Sequence, residues 1–299
     1  MARPEEWSPT LRAWRDAGRE VTLVGQRIFV RTAVSEDRPP LLLIHGFPSA
    51  SIDWLPLWPA LAQRFALAAP DLLGLGFSAK PAHLHYSVAL QAELCQQLLT
   101  QLGWSQRTVH VLAHDLGDTV AQELLARHLE GRLRLGSVVF LNGGLFPEAH
   151  RPRPIQWLLA APVLGRALAP LLGKQSFVRA MRAISGDAPP AAAVLDDWWT
   201  LLARECGTRR LPQLLGYLAE RKRHRARWVG ALTDAGVPVQ LVCGSADPIS
   251  GEHMADRFAE LLPEADLVRL PRVGHYPQIE APAAVLRAVC AFHDRREQN

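Results

Sequence analysis

The chain has 299 residues, 48% hydrophobic and 21% charged, with a formal net charge of +4. That apolar content excludes a disordered chain, and 21 Gly and 23 Pro without a period exclude a collagen-like one. A chain this long buries enough core to fold without disulfides or a structural metal. Its cysteines, Cys95, Cys206, Cys243 and Cys290, form no CxxC pair or Cys/His cluster, so a reduced, cytoplasmic protein without a cysteine-held metal is expected.

Met1 to Glu20 contains no uninterrupted apolar run of the kind a signal peptide needs. Trp7, Leu11 and Trp14 fall on one face of a short amphipathic helix. Val21–Leu23 and Ile28–Arg31, on either side of Gly25, read as a hairpin. Unbroken apolar runs follow at 41–44, 66–69, 109–113, 138–141, 239–243 and 267–270, a pattern that suits strands covered on both faces. Helical patterns at 87–102, 118–128, 252–262 and 281–294 alternate with them, which predicts a doubly wound α/β sheet. Between Leu145 and Leu232 no strand run occurs, only helix-like segments, prolines and tryptophans. The expected organisation is a core of 1–144 and 233–299 interrupted by a helical cap at 145–232, over the strand ends where open α/β sheets bind ligands.

Two cap segments invite other readings. The apolar stretch Ile155 to Gly173 contains Arg166 and is broken by Pro162 and Pro170, so it reads as a buried or lid helix pair, and membrane contact is not expected. The run Arg221-Lys222-Arg223-His224-Arg225-Ala226-Arg227 has no accompanying RNA- or DNA-binding motif and reads as a solvated cap face; no nucleic-acid partner is expected.

Four features at strand ends carry chemistry. Val109 to His114 runs into Asp115-Leu116-Gly117 and a helix, the layout of a nucleophile elbow with aspartate in place of serine. A plain helix N-cap is the alternative for Asp115. Upstream lies His45-Gly46-Phe47-Pro48; downstream lie Gly244-Ser245-Ala246-Asp247-Pro248 and Gly274-His275. Nucleophile, acid and base thus follow one another in the order Asp115, Asp247, His275, each after a strand run.

On these segments, together with Pro70-Asp71-Leu72-Leu73-Gly74-Leu75-Gly76-Phe77-Ser78, the chain resembles α/β hydrolases of the epoxide hydrolase and haloalkane dehalogenase branch. His114-Asp115-Leu116-Gly117-Asp118, Asn142-Gly143-Gly144-Leu145-Phe146-Pro147 and Arg227-Trp228-Val229-Gly230 narrow the resemblance to the mesoderm-specific transcript group. The resemblance implies a mostly parallel eight-stranded sheet flanked by helices, with an inserted helical cap. It also implies a cofactor-independent hydrolase, without a metal, whose oxyanion donors are the Phe47 and Leu116 amides.

An aspartate nucleophile suits an electrophilic sp³ carbon, since attack on an acyl group would leave an anhydride. The expected partners are therefore a small apolar epoxide or alkyl halide and water. Leu116 and Phe47 stand where dehalogenases of the branch carry tryptophan and asparagine, which disfavours halide abstraction. Epoxide opening calls for a proton donor, and of the three tyrosines only Tyr217 falls in the predicted cap; Trp198, Trp199 and His150 are further candidates. Asp118 reads as a carboxylate favoured near a helix N-terminus. Dehalogenation, or a noncatalytic binding protein on the same scaffold, remains the alternative, and oligomeric state is open.

Overall fold

The computed structural model describes residues 7–161 and 163–297; Met1–Glu6 and Pro162, on which parts of the leader and lid readings rest, lie outside the described residues. Among those described, eight strands form one sheet in the order β1-β2-β4-β3-β5-β6-β7-β8. They are β1 (Gly18–Leu23), β2 (Gln26–Ala33), β3 (Pro40–Ile44), β4 (Ala66–Pro70), β5 (Val109–His114), β6 (Leu135–Leu141), β7 (Val239–Gly244) and β8 (Asp266–Leu270). Every apolar run singled out in the sequence is a strand. The β1–β2 hairpin is antiparallel and turns through Val24 and Gly25, both at positive φ. From β4 to β8 the pairing is parallel, with Leu42 opposite Val111, Leu112 opposite Val139 and Phe140 opposite Leu241.

Leu41 to Ile44 and Ala66 to Ala69 are fully buried, because helices cover both sheet faces. Each such leucine contributes about 1.5–3 kcal/mol by leaving water. The covering helices are α1 (Pro9–Asp16), α2 (Trp58–Arg64), α3 (Val88–Gln101) and α4 (Leu116–Leu129). The helices between β6 and β7 are α5 (Pro154–Ala160), α6 (Leu164–Leu168), α7 (Lys174–Arg182), α8 (Ala192–Ala203), α9 (Leu211–Leu214), α10 (Tyr217–Arg223) and α11 (Arg225–Asp234). After β7 come α12 (Glu252–Leu261), α13 (Pro277–Glu280) and α14 (Pro282–Glu297).

Three expectations change in detail. Helix α4 starts at Leu116 rather than at 118, so Asp115 itself is the hinge between strand and helix. Helix α2 carries no apolar periodicity of its own beyond Trp58 and Leu61 and was not foreseen. In the 155–173 stretch Leu159 and Ala169 are buried, but Ile155, Trp157, Leu158, Val163, Leu164 and Leu171 are exposed, so of the buried and lid readings of the helix pair only the buried one is excluded.

Candidate active site

Parallel pairing brings the carboxyl ends of β3, β5, β6 and β7 to one edge of the sheet, and the loop after β8 joins them there. Asp115 follows β5 at φ 48° and ψ −105°, a conformation uncommon for a residue with a Cβ. Gly117 makes the turn possible: a Cβ there would strike the Ile44 carbonyl at the end of β3. The side-chain oxygen Oδ2 of Asp115 accepts the Phe47 amide at 3.0 Å. Asp115 caps α4 by position, but its side chain makes no capping hydrogen bond. Of the two amides expected to face this carboxylate, Phe47 is bonded to it; no bond from the Leu116 amide to the carboxylate is formed.

The loops after β7 and β8 meet beside it. His275 Nδ1 donates to Asp247 Oδ2 at 2.7 Å. Asp247 is held by the Ile249 amide on Oδ1 at 2.8 Å, and by the Ser250 amide and Asn142 Nδ2 on Oδ2, both at 3.1 Å. The His275 loop is fixed from outside the sheet as well. Glu280 accepts the Gly274, Tyr276 and Gly186 amides, and the His275 amide donates to the Ile184 carbonyl.

Electrostatics bind the three residues further. Burial alone would push the Asp115 carboxyl up, but the charges of His275 and Arg221 hold it below the usual carboxylate range. Burial alone would push His275 down; the Asp247 carboxylate, its hydrogen bond and the Asp115 charge outweigh it and raise His275 to about 9. The two shifts favour an ionised Asp115 and a protonated His275, the latter bonded to Asp247.

Arg221 corrects a sequence expectation. It opens the basic run read as a solvated face, yet its side chain is 2% exposed. Its Nη2 donates to the Asp115 carbonyl at 3.1 Å and lies 3.7 Å from Asp115 Oδ1, while Nε donates to Thr119 Oγ1 at 2.7 Å. Arg227, in the same run, pairs with Glu123 of α4. His150 accepts from Arg221 Nη1 at 3.5 Å, and burial together with the Arg221 charge pushes its pKa well below the ordinary value. Its Nδ1 lies 3.3 Å from Ser250 Oγ, so His150 belongs to the support around Asp247 rather than to the cavity.

Asp118 is a second correction. It is fully buried, and burial and the Asp115 charge push its carboxyl well above the usual range, which disfavours the charged form that the helix-dipole reading needs. Gly143 and Gly144 carried the signal for both residues. A Cβ on Gly143 would collide with Asp118, and one on Gly144 with Arg221. Asn142, just before them, sits at φ 44° and exchanges hydrogen bonds with the Gly244 peptide.

The remaining candidates separate clearly. Tyr217 is buried beside Phe47 with 6.2 Å between ring centroids, under the Arg221 guanidinium, and its hydroxyl has no partner. Burial and the Asp115 charge raise its pKa. Trp198 is elsewhere engaged: Nε1 donates to Asp53 Oδ1 at 2.7 Å and the ring stacks on Tyr276. Trp199 packs on Phe177. Neither indole lines the cavity of about 90 Å³ above Asp115 and His275, whose walls include Leu159, Phe177, Met181, Leu211 and Leu215; Tyr217 is not on the wall either but packs on Phe47, which is. Among the described residues no group of three or more His, Cys, Asp or Glu is placed to hold a metal ion.

A sheet of this order with a turn-borne carboxylate and a His–Asp pair at the strand ends defines an α/β hydrolase. The chain belongs to that family: the alpha/beta hydrolase family model matches residues 41–288. It is 38% identical over 299 residues to the human mesoderm-specific transcript homolog protein, covering 97% of this chain and 89% of the relative. It is 40% identical over 288 residues to LipZ of Mycobacterium tuberculosis, whose name carries the word hydrolase, covering 95% of this chain and 98% of the relative. Among solved structures, an α/β hydrolase fold protein of Burkholderia ambifaria superposes with a TM-score of 0.75 at 26% identity, covering 92% of this chain and 97% of that one. The haloalkane dehalogenase DbeA of Bradyrhizobium elkani superposes at 0.78 with 22% identity, covering 94% and 99%, which is a likeness of fold.

Proposed function

We propose that this α/β hydrolase uses Asp115 as a nucleophile, forms an alkyl ester on it, and takes epoxides as substrates. The observation that carries the reading is the division of labour at the Asp115 carboxylate. Oδ2 rests on the Phe47 amide, while Oδ1 makes no hydrogen bond and the residue lines the apolar cavity. Oδ1 attacks the ring carbon, the C–O bond breaks, and the alkoxide takes a proton from Tyr217, the cap hydroxyl with no other partner. Water then attacks Asp115 Cγ and gives its proton to His275 Nε2, the imidazole nitrogen not committed to Asp247. The negative charge develops on Oδ2, against the Phe47 amide; one such donor is worth about 10²–10³ in rate. Collapse expels the second alkoxide, which takes the proton of the Asp115 carboxylic acid and leaves as part of a diol; the proton that His275 sheds on alkylation restores the Tyr217 hydroxyl.

The ester changes the base that removes it. With Asp115 alkylated, its charge no longer supports the His275 imidazolium, so the His275 pKa falls below its resting value of about 9 and the neutral base becomes available. Ester hydrolysis therefore speeds up as pH rises through that lowered pKa.

The segment 145–232 acts in this reading as the cap that chooses the substrate, since it supplies most of the apolar wall and also Tyr217, which packs on the wall residue Phe47. Dehalogenation is the second reading; it is disfavoured because Leu116 and Phe47 occupy the positions of the halide donors and the Trp198 indole N–H is committed to Asp53. A panel of epoxides and haloalkanes tests the choice. The expected result is diol formation from epoxides with little halide release. Halide release at comparable rates would make the enzyme a dehalogenase, and inertness toward both classes in a folded protein would favour a binding role.

A further inference from the structure

Eight large apolar side chains stand exposed among the described residues, and six of them fall within 155–171. Ile155, Trp157, Leu158, Val163, Leu164 and Leu171 are 37–84% exposed; the other two, Val34 and Leu129, lie outside this segment. The six are carried on α5, on α6 with its N-cap residue Val163, and on the turn after α6. Leu159 anchors α5 in the core, and α6 crosses it so closely that a Cβ on Gly165 would collide with the Leu159 carbonyl. The apolar side chains therefore project from a fixed corner rather than from a loose loop. A cluster of this kind on an otherwise polar surface marks an interaction site.

The charge around it indicates the partner. Residues 145–232 hold fourteen Arg and Lys against six Asp and Glu, while the rest of the chain holds nineteen against twenty-three. The positive charge of the protein is thus concentrated in the segment that carries the apolar patch. Arg151, Arg153, Arg166 and Arg209 form no ion pair among the described residues. Arg166 and Arg209 line one cleft of about 400 Å³ with Arg210 and His83, and Arg210 makes hydrogen bonds there only to the Ala82 carbonyl and the Gln213 side chain. Lys222 lies over the Trp157 ring, joining the apolar and basic parts of the face.

We infer that this face docks on an anionic lipid bilayer, with Trp157, Val163, Leu164 and Leu171 in the headgroup–acyl boundary and the unpaired arginines on lipid phosphates. A second copy fits less well, because a symmetric contact through the same patch would press two strongly positive faces together. The orientation has a consequence for the cavity: Arg153, Ile155 and Gln156, at the start of α5, line it, so its wall and the docking face are one helix. The docking inference stands apart from the epoxide reading, and its readout is binding rather than turnover.

Co-sedimentation of the full chain with phosphatidylcholine vesicles, with and without phosphatidylglycerol, tests it. The expected result is at least about tenfold stronger partitioning onto the anionic vesicles, declining as salt is raised. Trp157→Ser combined with Leu171→Ser, and separately Arg166→Gln combined with Arg209→Gln, each lower that partitioning about tenfold while circular dichroism stays unchanged. Bromine-labelled acyl chains quench the intrinsic fluorescence of the bound protein, and Trp157→Phe removes most of the quenching. Equal, weak binding to both vesicle types overturns the inference, as does wild-type binding by both double variants. A dimer that the apolar substitutions dissolve, in a protein that ignores vesicles, assigns the patch to a second copy instead.

Discussion

Along the sheet side of the cavity, backbone amides hold the reacting groups: Asp115 takes one from Phe47, and Asp247 takes two from its own turn. The helical side is arranged differently, for Arg221 is held by Thr119, His150 and the Asp115 carbonyl, and the Tyr217 hydroxyl has no partner at all. Peptide groups fixed by a paired sheet leave little freedom of position, and a side chain bonded to two of them inherits that rigidity. Groups placed by helix packing depend on the sizes of many neighbours. In the proposed mechanism the sheet side therefore carries the covalent chemistry, and the helical side adjusts its charge and its substrate.

That contrast fixes the order in which substitutions should matter. His275→Gln, on the sheet side, should stop ester hydrolysis while leaving alkylation possible. Turnover is expected to fall about 10⁴-fold, with the Asp115 peptide gaining the mass of the substrate. Rapid quench and peptide mass spectrometry check it, and unmodified peptide with normal turnover would remove His275 from the mechanism. Tyr217→Phe, on the helical side, should lower epoxide turnover about 10²-fold and leave any halide release unchanged. Equal loss on both substrate classes would mean that Tyr217 only packs.

Arg221→Gln should have the smallest effect on rate, about tenfold, and the clearest effect on pH. Asp115 must be ionised to attack, and removing the neighbouring cation raises its pKa. The acid limb of kcat/KM then moves to higher pH, and Arg221→Lys restores it. A limb that stays put while stability drops would make Arg221 a packing residue.

How much could be read in advance follows the same division. Leu41 to Ile44 and Val109 to Ala113 are unbroken apolar runs, so the strands declare themselves, and the residues just past them fall at one sheet edge by topology alone. Asp115, Asp247 and His275 were legible for that reason. Arg221 was not, because in the run from 221 to 227 nothing local separates a buried arginine from Arg223 beside it; burial there is decided by packing over α4. Gly143 and Gly144 held the clue, but a glycine reports that space is needed and not which side chain fills it. Trp198 reads as a packed cap aromatic or a candidate donor to substrate; it is the donor to Asp53, a pairing between segments 145 residues apart that no local pattern encodes.

Single-turnover reaction in ¹⁸O-water, with excess enzyme over an epoxide, tests the central claim most directly. If water attacks Asp115 Cγ, the first diol carries no label and the Asp115 carboxylate gains one ¹⁸O. Label in the first diol with none in the Asp115 peptide would mean direct attack of water on the substrate, and would contradict the covalent mechanism.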